Sequence, residues 1–149
     1  MESGIRVSVG VITRGLQLLI CQRRAHDPHA LKWEFPGGKV DEGEDEISCL
    51  RRELREELRI NATIGVVLQR ATHTYSNGRT VVLTFFHVPA YEGEIENTQF
   101  HALSWVESAQ LPSYDFLEGD RDFVSALSQG EWSHLFCDTQ SIAHNPQSR

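Results

Sequence analysis

Residues 38–60 read GKVDEGEDEISCLRRELREELRI, and their reading decides the fold of the chain. Ile47, Leu50, Leu54 and Leu58 recur at helical spacing, so the pattern predicts a helix over residues 45–58 with one apolar stripe to pack. Asp45 is suited to the N-cap, where a carboxylate accepts a free backbone N–H of the first turn. Glu53, Glu56 and Glu57 share another face, because positions i, i+3 and i+4 lie within roughly 100° of arc. Like charges held this close destabilise an isolated helix. A solvated acidic surface is the ordinary reason for such a face. A bound divalent cation is the other, and hard carboxylate oxygens suit Mg²⁺ or Mn²⁺.

The residues upstream favour the cation. Phe35-Pro36-Gly37-Gly38-Lys39 leads into the helix, a further glycine stands at Gly43, and Glu44 lies six residues after Gly38. This order resembles the Nudix box, G-x5-E-x7-R-E-U-x-E-E-x-G-U, where U is aliphatic. Gly38, Glu44, Arg52, Glu53, Leu54, Glu56, Glu57 and Ile60 match it in register. Six residues of fixed identity coincide by chance about once in ten million start positions at average residue frequencies. Arg59 departs from the pattern, standing where the family has a glycine that ends the helix in a left-handed conformation. Keeping that backbone with a side chain costs about 1 kcal/mol. Weaker similarity to the MutT type of Nudix hydrolase runs from Val7 to Leu127.

Composition sets the frame. The 149 residues suffice for one domain with a sizeable core. An apolar share of 40% and a charged share of 23% are those of a soluble globular protein. Residues 81–90, the longest apolar-rich run, are too short to span a bilayer, and the first ten residues carry no signal-peptide pattern. A net charge of −7 argues against a nucleic-acid-coating surface. Cys21, Cys49 and Cys137 are odd in number and widely spaced, which suits the reducing cytoplasm better than a disulfide scaffold or a zinc site.

Along the chain, residues 5–12 and 16–23 read as strands of a hairpin turning at Thr13-Arg14-Gly15. Residues 62–75 and 80–90 read as two long strands around Ser76-Asn77-Gly78-Arg79. A short strand is expected at 103–106 and a second helix at 120–127. The order of elements gives an α/β protein with a mixed sheet between helices, and the resemblance sharpens this to the Nudix α/β/α sandwich. The hydrolase domain is expected over residues 1–129. Residues 130–149 are polar and read as a partly disordered C-terminal extension, with Trp132, Leu135 and Phe136 able to dock. Oligomeric state is not legible.

The resemblance implies a MutT-like enzyme that hydrolyses a nucleoside or deoxynucleoside triphosphate to the monophosphate and pyrophosphate, with oxidised guanine or cytosine nucleotides as substrates. It implies Mg²⁺ (or Mn²⁺) held by Glu53, Glu56, Glu57 and the Gly37 carbonyl, with Glu53 as general base and Arg52 orienting it. Glu44 is expected to tether the loop or support the metal shell. Arg23 matches a phosphate-contacting position, and Lys39 and Gly38 are further substrate-binding candidates. Phe35, Phe85 and Trp33 could stack on a base or belong to the core. Asp120 falls where relatives read the base edge, and could equally cap the last helix. Relatives supply a further metal-binding acid shortly before the strand holding Trp105. Residues 97–103 here contain none, leaving Gln99 or His101 to fill the place. A sugar-nucleotide or dinucleoside polyphosphate pyrophosphatase is the alternative enzyme, since the box specifies the diphosphate bond and not its flanks. A non-catalytic Nudix-derived binding module would be expected to lose the box carboxylates, all of which are present.

Overall fold

The computed structural model describes residues 4–137. Strands β1 (Ile5–Arg14) and β2 (Gln17–Gln22) form the expected hairpin. β3 (Trp33–Glu34) and β4 (Gly37–Lys39) are short, and helix α1 spans Glu46–Leu58. Next come β5 (Asn61–Thr63), β6 (Val67–Thr74), β7 (Thr80–Val88), β8 (Ala90–Glu92) and β9 (Ala102–Glu107). Helix α2 covers Arg121–Ser128. β1 lies at the middle of a seven-stranded sheet ordered β3-β2-β1-β7-β6, with β4 also on β1 and β9 on β2. It runs parallel to β7, from Ile5 opposite Val81 to Ile12 opposite Val88, and the other pairings are antiparallel. The sheet is mixed because the β1-to-β7 connection includes α1, as a parallel pair requires a long crossover.

Strand alternation explains both layers. Val9, Val11, Leu18, Ile20, Leu83 and Phe85 point to a core closed by Phe123 and Leu127 of α2. Ile12, Leu19, Cys21, Phe86 and Val88 point the other way, onto Leu50, Leu54 and Leu58 of α1. With side chains alternating at period two, a strand buried on both faces is apolar at every position. Leu50, Leu54 and Leu58 are fully buried, each stabilising the fold by about 2 kcal/mol.

Two expectations need correcting. Residues 62–75 are not one strand: the chain breaks at Ile64-Gly65-Val66, and β5 leaves the main sheet to pair with β8. Residues 80–90 break too, at Pro89, which has no N–H for a ladder. The two breakers face each other: a side chain on Gly65 would stand 3.2 Å from the Pro89 ring, and Gly65 N–H bonds the His87 carbonyl at 2.7 Å. Asp45 caps α1 as expected, accepting the Ser48 N–H at 2.7 Å. Arg59 keeps the left-handed conformation at φ 63°. Residues 130–137 lie on the domain, with the Trp132 ring tilted against Phe123 at 5.0 Å and Cys137 N–H bonded to the Gly15 carbonyl. The remainder of the expected 130–149 extension, residues 138–149, lies outside those described.

Candidate active site

The site forms where β4 crosses α1. Gly38 lies directly over the Glu53 side chain, and a Cβ there would overlap its carboxylate. Gly37 has φ 148° and presses on the Ser8 carbonyl, so only glycine fits there as well. This close crossing lets Gly37 donate its N–H to Glu57 Oε1 at 3.1 Å. The Gln99 amide donates to Glu57 Oε2 at 3.3 Å, so the carboxylate is gripped from both sides. The loop that brings Gln99 is itself tied to the end of α1. Thr98 Oγ1 donates to the carbonyls of Glu56 (2.8 Å) and Glu57 (3.0 Å), which otherwise lack helical partners. Of the two side chains expected to stand in for the missing acid, Gln99 reaches the site. His101 is exposed, with its backbone N–H bonded to the Gln22 carbonyl.

Arg52 organises the flank. Its Nε and Nη2 grip Glu44 at 2.8 and 3.0 Å, and its Nη1 reaches Glu53 Oε2 at 3.0 Å and Glu56 Oε1 at 3.3 Å. Glu44 is therefore the loop's tether, and the guanidinium fork on it pulls its carboxyl down to about pKa 2. The three box carboxylates do not converge. Glu57 is 5% exposed and Glu53 16%, side by side, while Glu56 is 58% exposed and turned to Arg52. Among the described residues no three acid, His or Cys side chains form a ready coordination shell.

Burial pushes Glu57 well above the ordinary carboxylate range, and the neighbouring Glu53 charge pushes it further, against the opposing Gly37 N–H. Burial raises Glu53 too, and Arg52 offsets part of that. The buried Glu57 carboxylate against the half-buried Glu53 suits a divalent ion. The donor set is hard oxygen, and Mg²⁺ typically takes one or two carboxylates, completing its shell with water and substrate phosphates.

A cavity of about 290 Å³ opens beside this pair. Of the sequence candidates, Arg23, Phe35, Gly37, Gly38, Lys39, Glu57, Gln99 and Asp120 line it. Arg23 sits at its wall, held by the Pro28 carbonyl (2.8 Å) and Glu34 (3.2 Å). Phe35 is 4% exposed and committed to the core, stacked on Phe116 and edge-on to Phe85 and Phe123. Phe85 is fully buried and Trp33 is T-shaped against Tyr114, and neither lines the cavity. Asp120 stands at the N-terminus of α2 but makes no capping bond. Its carboxyl is buried at the cavity wall and raised by that burial and by the charge of Glu34.

Sequence reasoning missed Glu34, His29 and Tyr75, which also line the cavity. Glu34 carried a signal, a lone charge between the aromatics Trp33 and Phe35. His29 and Tyr75 carried none, because loop placement over a distant cavity leaves no periodicity.

The NUDIX domain pattern matches residues 4–127 of the chain. The chain is 36% identical over 124 residues to the CTP pyrophosphohydrolase of Escherichia coli, covering 83% of this chain and 90% of that protein. It is 33% identical over 124 residues to the 8-oxo-dGTP diphosphatase of Haemophilus influenzae, again covering 83% and 90%. The fold matches the crystal structure of the MutT NUDIX hydrolase from Burkholderia pseudomallei with a TM-score of 0.75 at 27% identity, over 83% of this chain and 98% of that one. Box, sandwich and relatives agree, and the chain belongs to the Nudix hydrolases, of the MutT-like type.

Proposed function

We propose that this protein hydrolyses nucleoside or deoxynucleoside triphosphates to the monophosphate and pyrophosphate, and that it clears modified nucleotides such as 8-oxo-dGTP or cytosine derivatives. The observation that carries this reading is the buried Glu57 carboxylate, set against half-buried Glu53 beneath the Gly37-Gly38 turn and lining a cavity of about 290 Å³ with Arg23 on its wall. Mg²⁺ or Mn²⁺ held by Glu53 and Glu57, with the Gly37 carbonyl and the more exposed Glu56 as further contacts, would neutralise the phosphates and lower the pKa of bound water. Glu53 takes the proton of the attacking water, and Arg52 holds Glu53 in place for it. Gly37 and Gln99 fix the angle of the Glu57 carboxylate. Arg23 and Lys39 supply positive charge to the phosphate chain, which a guanidinium fork suits.

Glu34 and Asp120 read the base edge. Both line the cavity, where burial raises each of them, and a carboxylate there accepts from an exocyclic amine. Residues 1–129 carry this activity as one domain, with 130–149 as an extension. No helix among the described residues is long and apolar enough to cross a membrane. The three free cysteines suit a cytoplasmic enzyme.

The test is pyrophosphate and phosphate release with Mg²⁺ or Mn²⁺ from a panel of unmodified NTPs and dNTPs, 8-oxo-dGTP, 5-methyl-dCTP, ADP-ribose, a UDP-sugar and a dinucleoside polyphosphate. Pyrophosphate from one preferred triphosphate is expected. Turnover confined to the diphosphate-linked compounds would overturn the substrate class.

A further inference from the structure

Tyr75 closes one side of the cavity and has no task in the reaction as described. It follows directly on β6, at the entrance to the hairpin turn toward β7. Its ring lies tilted at 38° against the His29 imidazole, with centroids 5.1 Å apart. His73 meets it edge-on at 4.5 Å. His29 belongs to the loop between β2 and β3, so two segments distant in sequence bring their rings together at the cavity.

The far end of Tyr75 is fixed as well. A Cβ on Gly119 would stand 3.1 Å from the phenolic oxygen and 3.2 Å from Leu83 Cδ1. The phenol therefore reaches the 118–120 turn, next to Asp120. The ring spans from the hairpin to the residue that starts α2, and it is only half-buried. Phe35, by contrast, is consumed by three other phenylalanines.

We propose that Tyr75, backed by His29, is the wall on which the nucleobase stacks, a specificity-determining pair that selects a planar heteroaromatic ring over a bare phosphate chain. The proposal rests on the nucleotide reading above. Stacking accepts any base because every base has a π-face. The wall thus supplies affinity, and Glu34 and Asp120 at the same cavity supply discrimination.

Calorimetry with dCMP, dGMP and inorganic pyrophosphate, each with Mg²⁺, tests the wall on ligands that cannot be turned over to the same products. Tyr75→Ala should weaken both monophosphates by about fivefold or more, and pyrophosphate by less than about twofold, since it has no ring to stack. Tyr75→Phe keeps the ring and should restore most of the binding. With the preferred triphosphate, the loss in Tyr75→Ala should fall on KM more than on kcat. A Tyr75→Ala protein that binds monophosphates like the wild type, or loses pyrophosphate in the same proportion, overturns the wall while triphosphate hydrolysis stands. A Tyr75→Phe protein as impaired as Tyr75→Ala overturns it too. A wild type that binds no monophosphate and hydrolyses no triphosphate overturns the nucleotide reading, and the wall with it.

Discussion

Arg59 shows how a single residue can depart from a motif without disturbing the site. It ends α1 with φ 63° and ψ 33°, the left-handed geometry that glycine adopts freely, and its N–H closes back on the Arg55 carbonyl at 3.0 Å. The backbone is preserved and the strain of a side chain is accepted. Arg59→Gly should stabilise the protein by up to about 1 kcal/mol, the steric cost removed being partly offset by the greater freedom of glycine in the unfolded chain. Thermal unfolding checks this, and turnover should be unaltered because Arg59 touches neither Glu53 nor the cavity.

Among the elements, α1 and the 96–101 loop act together. Glu96 and Thr98 donate their N–H groups to the last carbonyls of α1, at 2.9 and 3.2 Å, and the Thr98 hydroxyl adds two more bonds. Asn97 Oδ1 in turn caps the N–H groups of Gln99 and Phe100. Thr98→Ala should cost about 1 kcal/mol, and should lower kcat because the same loop delivers Gln99 to Glu57. Denaturant unfolding and steady-state kinetics read the two effects separately. The helix itself was legible in sequence to within a residue, because its apolar stripe, Asp45 cap and carboxylate register all agree. The strands around Gly65 and Pro89 were not, since strand alternation continues through a break that is made by two residues meeting across the sheet. Gln99 was legible only as one of two candidates, because deciding between it and His101 required the path of the loop.

For the whole molecule, the charges around the site set how stability answers to pH. Glu44 sits at about pKa 2, against 4.5 ordinarily, because of Arg52. A lowered carboxylate contributes stability that is fully present above pH 4.5 and is lost as pH falls toward 2. Thermal midpoints measured against pH should therefore show the advantage of the wild type over Glu44→Gln shrinking across that window. Glu57 and Asp120 have the opposite sign: both are raised by burial, so their charged forms weigh against the fold, and acidification relieves them. Box chemistry and the two-layer architecture were readable from residue spacing and alternation. The cavity was readable only in part, since it is assembled from β1, β3, β4, α1, β7, several loops and the residue before α2, and the unpredicted His29, Tyr75 and Glu34 come from two of the loops and from β3.

The most direct test of the account compares Glu57→Gln with the wild type in pyrophosphate release from the preferred triphosphate as Mg²⁺ is titrated. Wild-type turnover should rise to saturation with Mg²⁺ and vanish in EDTA. Glu57→Gln should lose about a hundredfold or more at saturating metal. The metal-free variant should also melt higher than the metal-free wild type, because a buried charge beside Glu53 is gone. Wild-type turnover persisting in EDTA, or a Glu57→Gln enzyme working at the wild-type rate, would contradict the assignment of the Glu53–Glu57 pair as the metal-dependent centre.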